Sequence, residues 1–182
     1  MSHAGTALID PYKVFEKVGL THGMRVADFG CGRTGHFVFP SAKIVGENGI
    51  VYAIDVVQNI LESIKSLAKS EGYDNVQVIW SDVECVGKTP IPENSLNACF
   101  FVNLLSQVKD RWSTIKEAVR LLKSGSFLAI IDWSKKLGPL GPSKERLVSP
   151  DSIVEFSEEN KLILQENTAL SDYHFLLIFK KI

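Results

Sequence analysis

The chain has 182 residues, enough for one domain that buries about 70% of the surface its unfolded form exposes. Its 20 Lys and Arg residues balance 21 Asp and Glu residues, and the formal charge of −1 gives no strong signal for nucleic-acid binding. A hydrophobic share of 45% excludes a disordered chain. No apolar run approaches the roughly 20 residues that cross a bilayer, and the N-terminus lacks a signal-peptide pattern.

The three cysteines, Cys31, Cys85 and Cys99, are far apart in the sequence and form no C-x-x-C pair. We therefore expect reduced thiols in a cytoplasmic protein without a membrane segment. The sequence predicts no metal site. It leaves the oligomeric state open, and a homo-oligomer is one of the states it allows.

Hydrophobic periodicity and turn residues predict an alternation of strands and helices. Asp10 followed by Pro11 is typical of a helix start, and Gly19 is typical of a helix end. Pro40 lies inside the second helical pattern, where it predicts a kink or a first-turn boundary. The predicted elements are, in chain order, helix 11–18, strand 24–29, a helix ending near 45, strand 50–55, helix 57–71, strand 76–80, strand 96–102, helix 110–122, strand 126–132, helix 150–160, and strands 162–169 and 173–180.

Strand and helix alternate five times, which predicts a parallel sheet with helices on both faces. The last two strands are joined tightly around Ser171 and Asp172, without room for a helix, so they must be antiparallel neighbours. The predicted fold class is therefore α/β: a three-layer sandwich around a seven-stranded, mostly parallel, Rossmann-like sheet with a C-terminal antiparallel hairpin.

The stretch from Met24 to Phe37 joins a short apolar strand to Gly30, Gly32 and Gly35 and then to a helical pattern. Glycine suits positions where the backbone takes unusual dihedral angles or lies against a ligand. Asp28 stands two residues before the first glycine. Its carboxylate would repel the pyrophosphate of a dinucleotide, which prefers bare backbone amides. The same carboxylate suits the ammonium and sulfonium groups of S-adenosylmethionine.

This acid-x-Gly-x-Gly motif resembles the first motif of the class I, Rossmann-like, S-adenosylmethionine-dependent methyltransferases. The segment from Thr89 to Ala98 resembles the segment before strand four in the small type 11 and ubiquinone-biosynthesis methyltransferases. Two departures occur: Asn97 replaces an acid, and Arg33 and Thr34 make the glycine motif one residue longer. The resemblance implies an N-terminal helix or lid segment over residues 1–22 and a single methyltransferase domain over residues 23–182.

In open α/β sheets the ligand lies beyond the carboxyl ends of the parallel strands, so the residues there are candidates. Asp55 ends strand two, and its carboxylate can accept from both ribose hydroxyls. The resemblance assigns the adenine amino group to Asp82 and a backbone amide to Val83, and places Asn103 beside the methionine moiety. The predicted cofactor-binding residues are Asp28, Gly30, Cys31, Gly32, Gly35, Asp55, Val56, Asp82, Val83 and Asn103.

The candidate catalytic residues are Asn103, Asp132 and His174. The strand order of the family puts the last strand beside strand five, which would bring His174 close to Asp132 as a base. The alternative is that His174 belongs to an edge pair at a hairpin turn. The segment from Trp133 to Ser149 is expected to be an exposed loop and a possible cover of the site.

The favoured function is transfer of a methyl group from S-adenosylmethionine, with S-adenosylhomocysteine as product, to an acceptor expected to be a small molecule. The protein would align the acceptor with the methyl–sulfur bond and exclude water. No Asn/Asp-Pro-Pro-Tyr sequence follows strand four, which disfavours transfer to an exocyclic amine of DNA. Two alternatives stay open: a non-catalytic module that binds S-adenosylmethionine as a regulator or partner, and, less favoured, an NAD-linked oxidoreductase.

Overall fold

The computed structural model describes residues 9–138 and 141–182. This part of the chain forms seven strands and five α-helices, and a short 3₁₀-helix covers Lys144–Arg146. The elements are α1 (Pro11–Lys17), β1 (Arg25–Phe29), α2 (Val38–Val45), β2 (Ile50–Asp55), α3 (Gln58–Glu71), β3 (Val76–Trp80), β4 (Leu96–Val102), α4 (Arg111–Leu121), β5 (Leu122–Trp133), α5 (Pro150–Glu159), β6 (Leu162–Ala169) and β7 (His174–Lys181).

The strands form one sheet in the order β3-β2-β1-β4-β5-β7-β6. The first five strands pair in parallel, and β7 pairs antiparallel with both β5 and β6. The predicted mostly parallel sheet with a C-terminal antiparallel hairpin is therefore confirmed. The strand order reverses between β1 and β4, and a crevice for a ligand is expected at the carboxyl ends of these two strands.

Helices cover the sheet on both faces and give three layers. One buried cluster contains Phe15 of α1, Val38 of α2 and Ile64 of α3. The other contains Ile115 of α4 and Ile153 of α5. The central strands are buried on both faces, which is why their sequences are continuous apolar runs rather than alternating patterns.

The first helix packs as part of one face of the sandwich. Asp10 caps it by accepting from the Tyr12 N–H at 3.0 Å, and Pro11 is its first residue, as predicted. The ring of Phe15 packs edge-on against that of Phe37, with 5.3 Å between their centroids. Residues 1–8, which begin the predicted lid segment, lie outside the described residues. Among the described residues, no helix is long and apolar enough to cross a membrane.

The second helix follows a series of turns. Residues 30–37 form these turns, and α2 starts at Val38. Pro40 is the third residue of α2, where a backbone N–H has no intrahelical partner to lose. Of the two interpretations of this proline, the first-turn boundary is therefore the right one. The longer glycine motif is accommodated in the turns that precede the helix.

The fifth strand begins earlier than predicted. β5 starts at Leu122, directly after α4, and includes the residues predicted to be a turn. Its pairing with β4 jumps from Leu96–Leu122 to Ala98–Phe127, so extra residues bulge out between the two pairs. Gly125, with a φ of 80°, allows this local change in backbone direction.

Candidate functional site

A cavity of about 730 Å³ opens at the carboxyl ends of β1 to β5. This is the position that the strand order predicts for a ligand. Nine of the ten predicted cofactor-binding residues line it, namely Asp28, Gly30, Cys31, Gly32, Asp55, Val56, Asp82, Val83 and Asn103. Residues that are far apart in the sequence therefore meet in one cavity.

Gly35 is the predicted cofactor-binding residue that does not line this cavity. A Cβ added to it would lie 2.7 Å from the ring of Phe39 and 3.0 Å from the Ile64 side chain, and its φ is 58°. Packing of the turn against α2 and α3 therefore requires this glycine. The cofactor contact of Gly35 stays a prediction, and the structure assigns this glycine a packing role.

The turn after β1 is fastened to the end of β2. The N–H groups of Gly30 and Cys31 both donate to the Ile54 carbonyl, at 2.8 and 3.0 Å. The Gly32 N–H donates to Oδ2 of Asp55 at 3.4 Å. These bonds hold the glycine turn against the acid that ends β2.

Asp28 is a buried carboxyl without a hydrogen-bond partner for one oxygen. Its side chain is 3% exposed, and no described residue donates to Oδ1. Burial and, to a smaller extent, the charge of Asp55 raise the pKa of Asp28 to about 8. A cation placed beside Asp28 would favour the ionised form and lower this pKa again. The site is therefore arranged to receive a positively charged group.

Asp55 has capacity left for a ligand. Oδ1 accepts from the Val57 N–H at 3.0 Å, and Oδ2 accepts the longer bond from Gly32. An ionised carboxylate has about four lone-pair sites, so two remain for hydroxyl donors. Asp55 is half-buried at the mouth of the cavity, which suits a ribose that keeps one edge in water.

The loop after β3 forms the wall of the cavity farthest from β5. Asp82 Oδ1 accepts from the Glu84 N–H at 3.0 Å and fixes a tight turn. Farther along, Glu117 of α4 accepts from the N–H groups of Gly87 and Thr89 at 2.7 and 3.1 Å. The wall that carries Asp82 is therefore fixed to α4.

Asn103 follows β4 directly and has a φ of 55°, a left-handed conformation that asparagine tolerates better than most residues. Its N–H donates to the Ile131 carbonyl at 2.8 Å, which fixes the backbone. Its side-chain Oδ1 is buried and has no partner in the described part of the chain. Asp28 Oδ1 and Asn103 Oδ1 are thus two acceptor oxygens that lack donors, and both residues line the same cavity.

The predicted pair of Asp132 and His174 is not formed. In the β5–β7 ladder Trp133 lies opposite His174, and Asp132 lies opposite Phe175. Directly opposed residues share a face of the sheet and successive residues alternate, so Asp132 and His174 point to opposite faces. Neither Asp132 nor His174 is among the described residues that line the cavity.

Asp132 stabilises the backbone beneath the cavity. It is 1% exposed, and its oxygens accept from the Ser106 N–H at 3.1 Å and from its own neighbour, the Trp133 N–H, at 2.8 Å. Burial raises the pKa of Asp132, against the opposing effect of these N–H groups and of the nearby Ser106 hydroxyl. The carboxyl thereby joins the loop after β4 to the end of β5.

His174 is fully buried next to the hairpin turn. Its ring stacks on Trp133 with 4.3 Å between centroids, and Nδ1 lies 3.2 Å from the Ser171 hydroxyl. Burial lowers the pKa of His174 to about 4, so the ring is neutral near pH 7. These contacts match the alternative of a structural residue at the hairpin turn rather than a base.

Residues 141–148, which belong to the predicted exposed loop and possible cover, line the β5 end of the cavity. Gly141 lies against Trp133 so closely that an added Cβ would be 3.1 Å from the indole ring. Arg146 donates to the Gln107 carbonyl at 2.9 Å, and Arg111 donates to the Arg146 carbonyl at 3.2 Å. The residues Pro139 and Leu140 of the predicted exposed loop lie outside the described residues.

His36 lines the cavity and holds the start of the described chain beside it. Its Nε2 lies 2.6 Å from the Ile9 carbonyl. Because a carbonyl oxygen has no proton to give, Nε2 must carry the proton and donate it. The structure therefore places His36 in the cavity wall.

The family model of the methyltransferase domain matches residues 20–174. The chain belongs to this methyltransferase family. It is 27% identical over 126 residues to the ubiquinone/menaquinone biosynthesis C-methyltransferase of Hahella chejuensis, a match that covers 69% of this chain and 49% of that protein. It is 30% identical over 128 residues to the demethylmenaquinone methyltransferase of Staphylococcus aureus, covering 70% and 51%.

The methyltransferase chain spans about half the length of the curated relatives it matches. Among solved structures it is similar to an S-adenosylmethionine-dependent methyltransferase from Aquifex aeolicus, with 28% identity and a TM-score of 0.86. That comparison covers 100% of this chain and 94% of the other. The resemblance inferred from the Asp28 motif and the terminal hairpin is therefore confirmed.

S-adenosylmethionine is the cofactor of this methyltransferase family, and the cavity fits it. Asp28 Oδ1 and Asn103 Oδ1 are buried acceptors without donors, and the α-ammonium of the cofactor supplies up to three donors. Asp55 retains lone pairs for the two ribose hydroxyls. Asp82 lies in the wall beyond Asp55, where the sheet order puts the adenine. These four residues would hold the cofactor.

Proposed function

We propose that this methyltransferase transfers the methyl group of S-adenosylmethionine to a small, largely apolar molecule that carries a hydroxyl group on a ring. The pair of unpartnered oxygens, Asp28 Oδ1 and Asn103 Oδ1, carries the cofactor half of this proposal. Both lie where the strand order reverses, and both suit an ammonium group. The acceptor half is supported by the chemistry of the remaining cavity wall.

The bound cofactor supplies an electrophilic methyl group, and the residues of the chain orient it. The sheet order β3-β2-β1-β4-β5 puts Asp82, Asp55, Asp28 and Asn103 in sequence across the cavity. Asp82 would hold the adenine end of a bound cofactor, and Asp28 and Asn103 would hold its methionine end. The acceptor would then enter at the β4–β5 end of the cavity, which residues 141–148 line.

The β4–β5 end is lined mainly by apolar side chains. Leu104 and Trp133 are buried there, and Val108 is half-buried, while Ser106, Gln107 and Arg146 add polar groups. A flat, apolar acceptor with a single oxygen function suits such a wall. The relatives named above are quinone-biosynthesis methyltransferases, so a hydroxylated aromatic ring is the acceptor class we propose.

The cover of the cavity also belongs to this proposal. The hydrogen bond from His36 to Ile9 holds the N-terminal segment beside the cavity, which supports the role of residues 1–22 as a lid. The thiols of Cys31, Cys85 and Cys99 are free, which supports a reducing, cytoplasmic location.

Two measurements test the proposal. Calorimetric titration should show binding of S-adenosylhomocysteine and no binding of NAD. Transfer of a radiolabelled methyl group to 1,4-dihydroxynaphthalene, kept reduced under nitrogen, should then be detectable. Heat from NAD alone would overturn the cofactor assignment. Cofactor binding without transfer to this or other ring hydroxyl compounds would favour the non-catalytic module.

A further inference from the structure

Ser106 lies in the cavity wall, in the segment that follows β4. It is 2% exposed, and its hydroxyl forms no hydrogen bond with any residue of 9–138 and 141–182. A buried hydroxyl without a partner is less stable than one that is hydrogen-bonded, because it has lost its bonds to water. An unpartnered, buried hydroxyl in a cavity wall is therefore a candidate for ligand binding.

The backbone of Ser106 is fixed from two sides. Its N–H donates to Asp132 Oδ2 at 3.1 Å, and its carbonyl accepts from Arg146 Nη1 at 3.5 Å. The hydroxyl lies close enough to the Asp132 carboxylate to lower the pKa of that group, but it does not form a well-aligned hydrogen bond with it. The backbone N–H and carbonyl of Ser106 are therefore already bonded, whereas its hydroxyl is available to a ligand. The hydroxyl reorients by rotation about a single bond.

Its place in the sheet puts Ser106 at the acceptor end. It follows β4 by a few residues and is bonded to the end of β5, whereas the cofactor-binding acids belong to β1, β2 and β3. Of the nearest wall residues along the chain, Leu104 and Val108 are apolar, and the side-chain amide of Gln107 donates to the Asn103 carbonyl. A hydroxyl in a wall with few polar groups can fix the orientation of a ligand that offers one matching group.

We propose that the Ser106 hydroxyl is the hydrogen-bonding anchor of the acceptor's own hydroxyl group. A serine offers one proton and two lone pairs, and the neighbouring carboxylate attracts the proton, so the lone pairs are what it offers to the cavity. The acceptor oxygen then donates to Ser106 Oγ while its ring packs between Leu104, Val108 and Trp133. This inference rests on the proposed function and adds the residue that recognises the acceptor.

A pair of matched probes isolates this hydrogen bond. 1-Naphthol and 1-methylnaphthalene have the same ring system, and only the first has a hydroxyl. Their dissociation constants are measured by ligand-observed NMR titration, with the protein saturated with S-adenosylhomocysteine. The variants are Ser106→Ala and, as control, Ser157→Ala. Ser157 of α5 is another fully buried serine whose hydroxyl lacks a partner among the described residues, but it does not line the cavity.

The ratio of the two dissociation constants should shift about fivefold against 1-naphthol in Ser106→Ala, since one neutral hydrogen bond is worth about 1 kcal/mol. It should stay unchanged in Ser157→Ala. Taking the ratio cancels changes that affect both probes equally. Both substitutions remove a hydroxyl that has no protein partner, so we expect both variants to fold.

An unchanged ratio in Ser106→Ala overturns the assignment of Ser106, as does an equal shift in Ser157→Ala or failure of the wild type to bind either probe. Failure of the proposed function is recognised separately, because the wild type would then not bind S-adenosylhomocysteine in the preceding titration. If S-adenosylhomocysteine binds and the ratio does not change, the function stands and only the anchor is wrong.

Discussion

At the scale of single residues, we expect the buried carboxyl of Asp28 to strengthen cofactor binding and to lower the stability of the folded protein. Burial and the charge of Asp55 raise its pKa to about 8 in the folded protein, whereas an unfolded chain would ionise it near pH 4. Ionisation is therefore less favourable in the folded than in the unfolded state. The free energy of unfolding falls as pH rises from about 4 to about 8, and the loss persists at higher pH. Such shifts are frequent in functional sites.

Replacing Asp28 by Asn should stabilise the protein and impair its function. Asp28→Asn should raise the thermal midpoint by a few degrees at pH 9 and by little below pH 4, because only the ionised carboxyl carries the cost. It should weaken S-adenosylhomocysteine binding at least about tenfold, since a charge-assisted hydrogen bond is lost. Asp172→Asn, which removes the same charge from an exposed turn, should do neither. Lower stability of Asp28→Asn at pH 9 would contradict this account.

Cofactor affinity should itself depend on pH. The ammonium group prefers ionised Asp28, so S-adenosylhomocysteine should bind more tightly as pH rises from 6 to 8. In Asp55→Asn this rise should move to lower pH, because the charge that helps to raise the pKa of Asp28 is gone. Calorimetric titrations at several pH values measure both effects. A flat profile in the wild type would mean that Asp28 is not an ionised ligand of the cofactor.

The place of a residue in the cavity could be predicted where it follows from a local sequence pattern, such as the end of a strand. Asp28, Asp55 and Asn103 each lie at or just past the end of a predicted strand, and the rule that ligands lie at carboxyl strand ends was enough to find them. The pairing of Asp132 with His174 depended on the β5–β7 register, and a shift of one residue moves a side chain to the opposite face. No feature of a single sequence fixes that register.

At the scale of elements, residues 141–148 show why the acceptor end was harder to predict. They have little regular structure and are held by contacts to distant residues: Arg146 donates to the Gln107 carbonyl, and Arg111 donates to the Arg146 carbonyl. Val148 is buried in the cluster of α4 and α5. Turn residues predicted a loop here, but its path over the cavity depends on tertiary contacts that have no periodic signature.

Gly141→Ala should disturb the acceptor end and leave the cofactor end intact. The new methyl group would lie 3.1 Å from the Trp133 ring, at a φ of 86° that already disfavours alanine. Gly125→Ala is the matched control, because its φ is 80° and nothing lies within 4 Å of an added Cβ. Both should lose about 1 kcal/mol of stability from backbone strain.

Only Gly141→Ala should change the near-ultraviolet circular dichroism of Trp133 and raise KM for 1,4-dihydroxynaphthalene several-fold. Affinity for S-adenosylhomocysteine should be unchanged in both variants. If Gly125→Ala changes KM to the same extent, loss of stability rather than the contact with Trp133 would explain the effect.

At the scale of the whole molecule, the alternation of strands and helices was enough to predict the sheet and its two helical layers. Parallel strands are joined by right-handed crossovers in nearly all proteins, so few arrangements remain once the elements are known. The predicted hairpin then closes the sheet through β7. What the pattern did not reveal is how the loops that carry the site are fixed to this frame. The loop after β3 is fixed by a buried ion pair on α4.

That ion pair consists of Glu117, which is fully buried, and Arg120. Arg120 donates to both carboxylate oxygens of Glu117 at 2.7 and 2.8 Å, and also to the Thr89 carbonyl at 3.0 Å. Burial alone would raise the pKa of Glu117, but the hydrogen bonds from Arg120, Gly87 and Thr89 outweigh it and hold the pKa below its usual value. Its contribution to stability is therefore present above about pH 4.5 and is lost as the pH falls through the lowered pKa.

Glu117→Gln should therefore destabilise the protein by about 3 kcal/mol at pH 7, because it leaves the Arg120 charge without its partner. Urea unfolding at pH 7 and at pH 3.5 measures this, and the difference from the wild type should shrink at the lower pH. The control is Glu93→Gln, since Glu93 lies 3.6 Å from the same guanidinium but its side chain is 65% exposed. An exposed pair of this kind is worth at most about 1 kcal/mol. Equal losses in the two variants would mean that the buried ion pair does not hold the loop after β3.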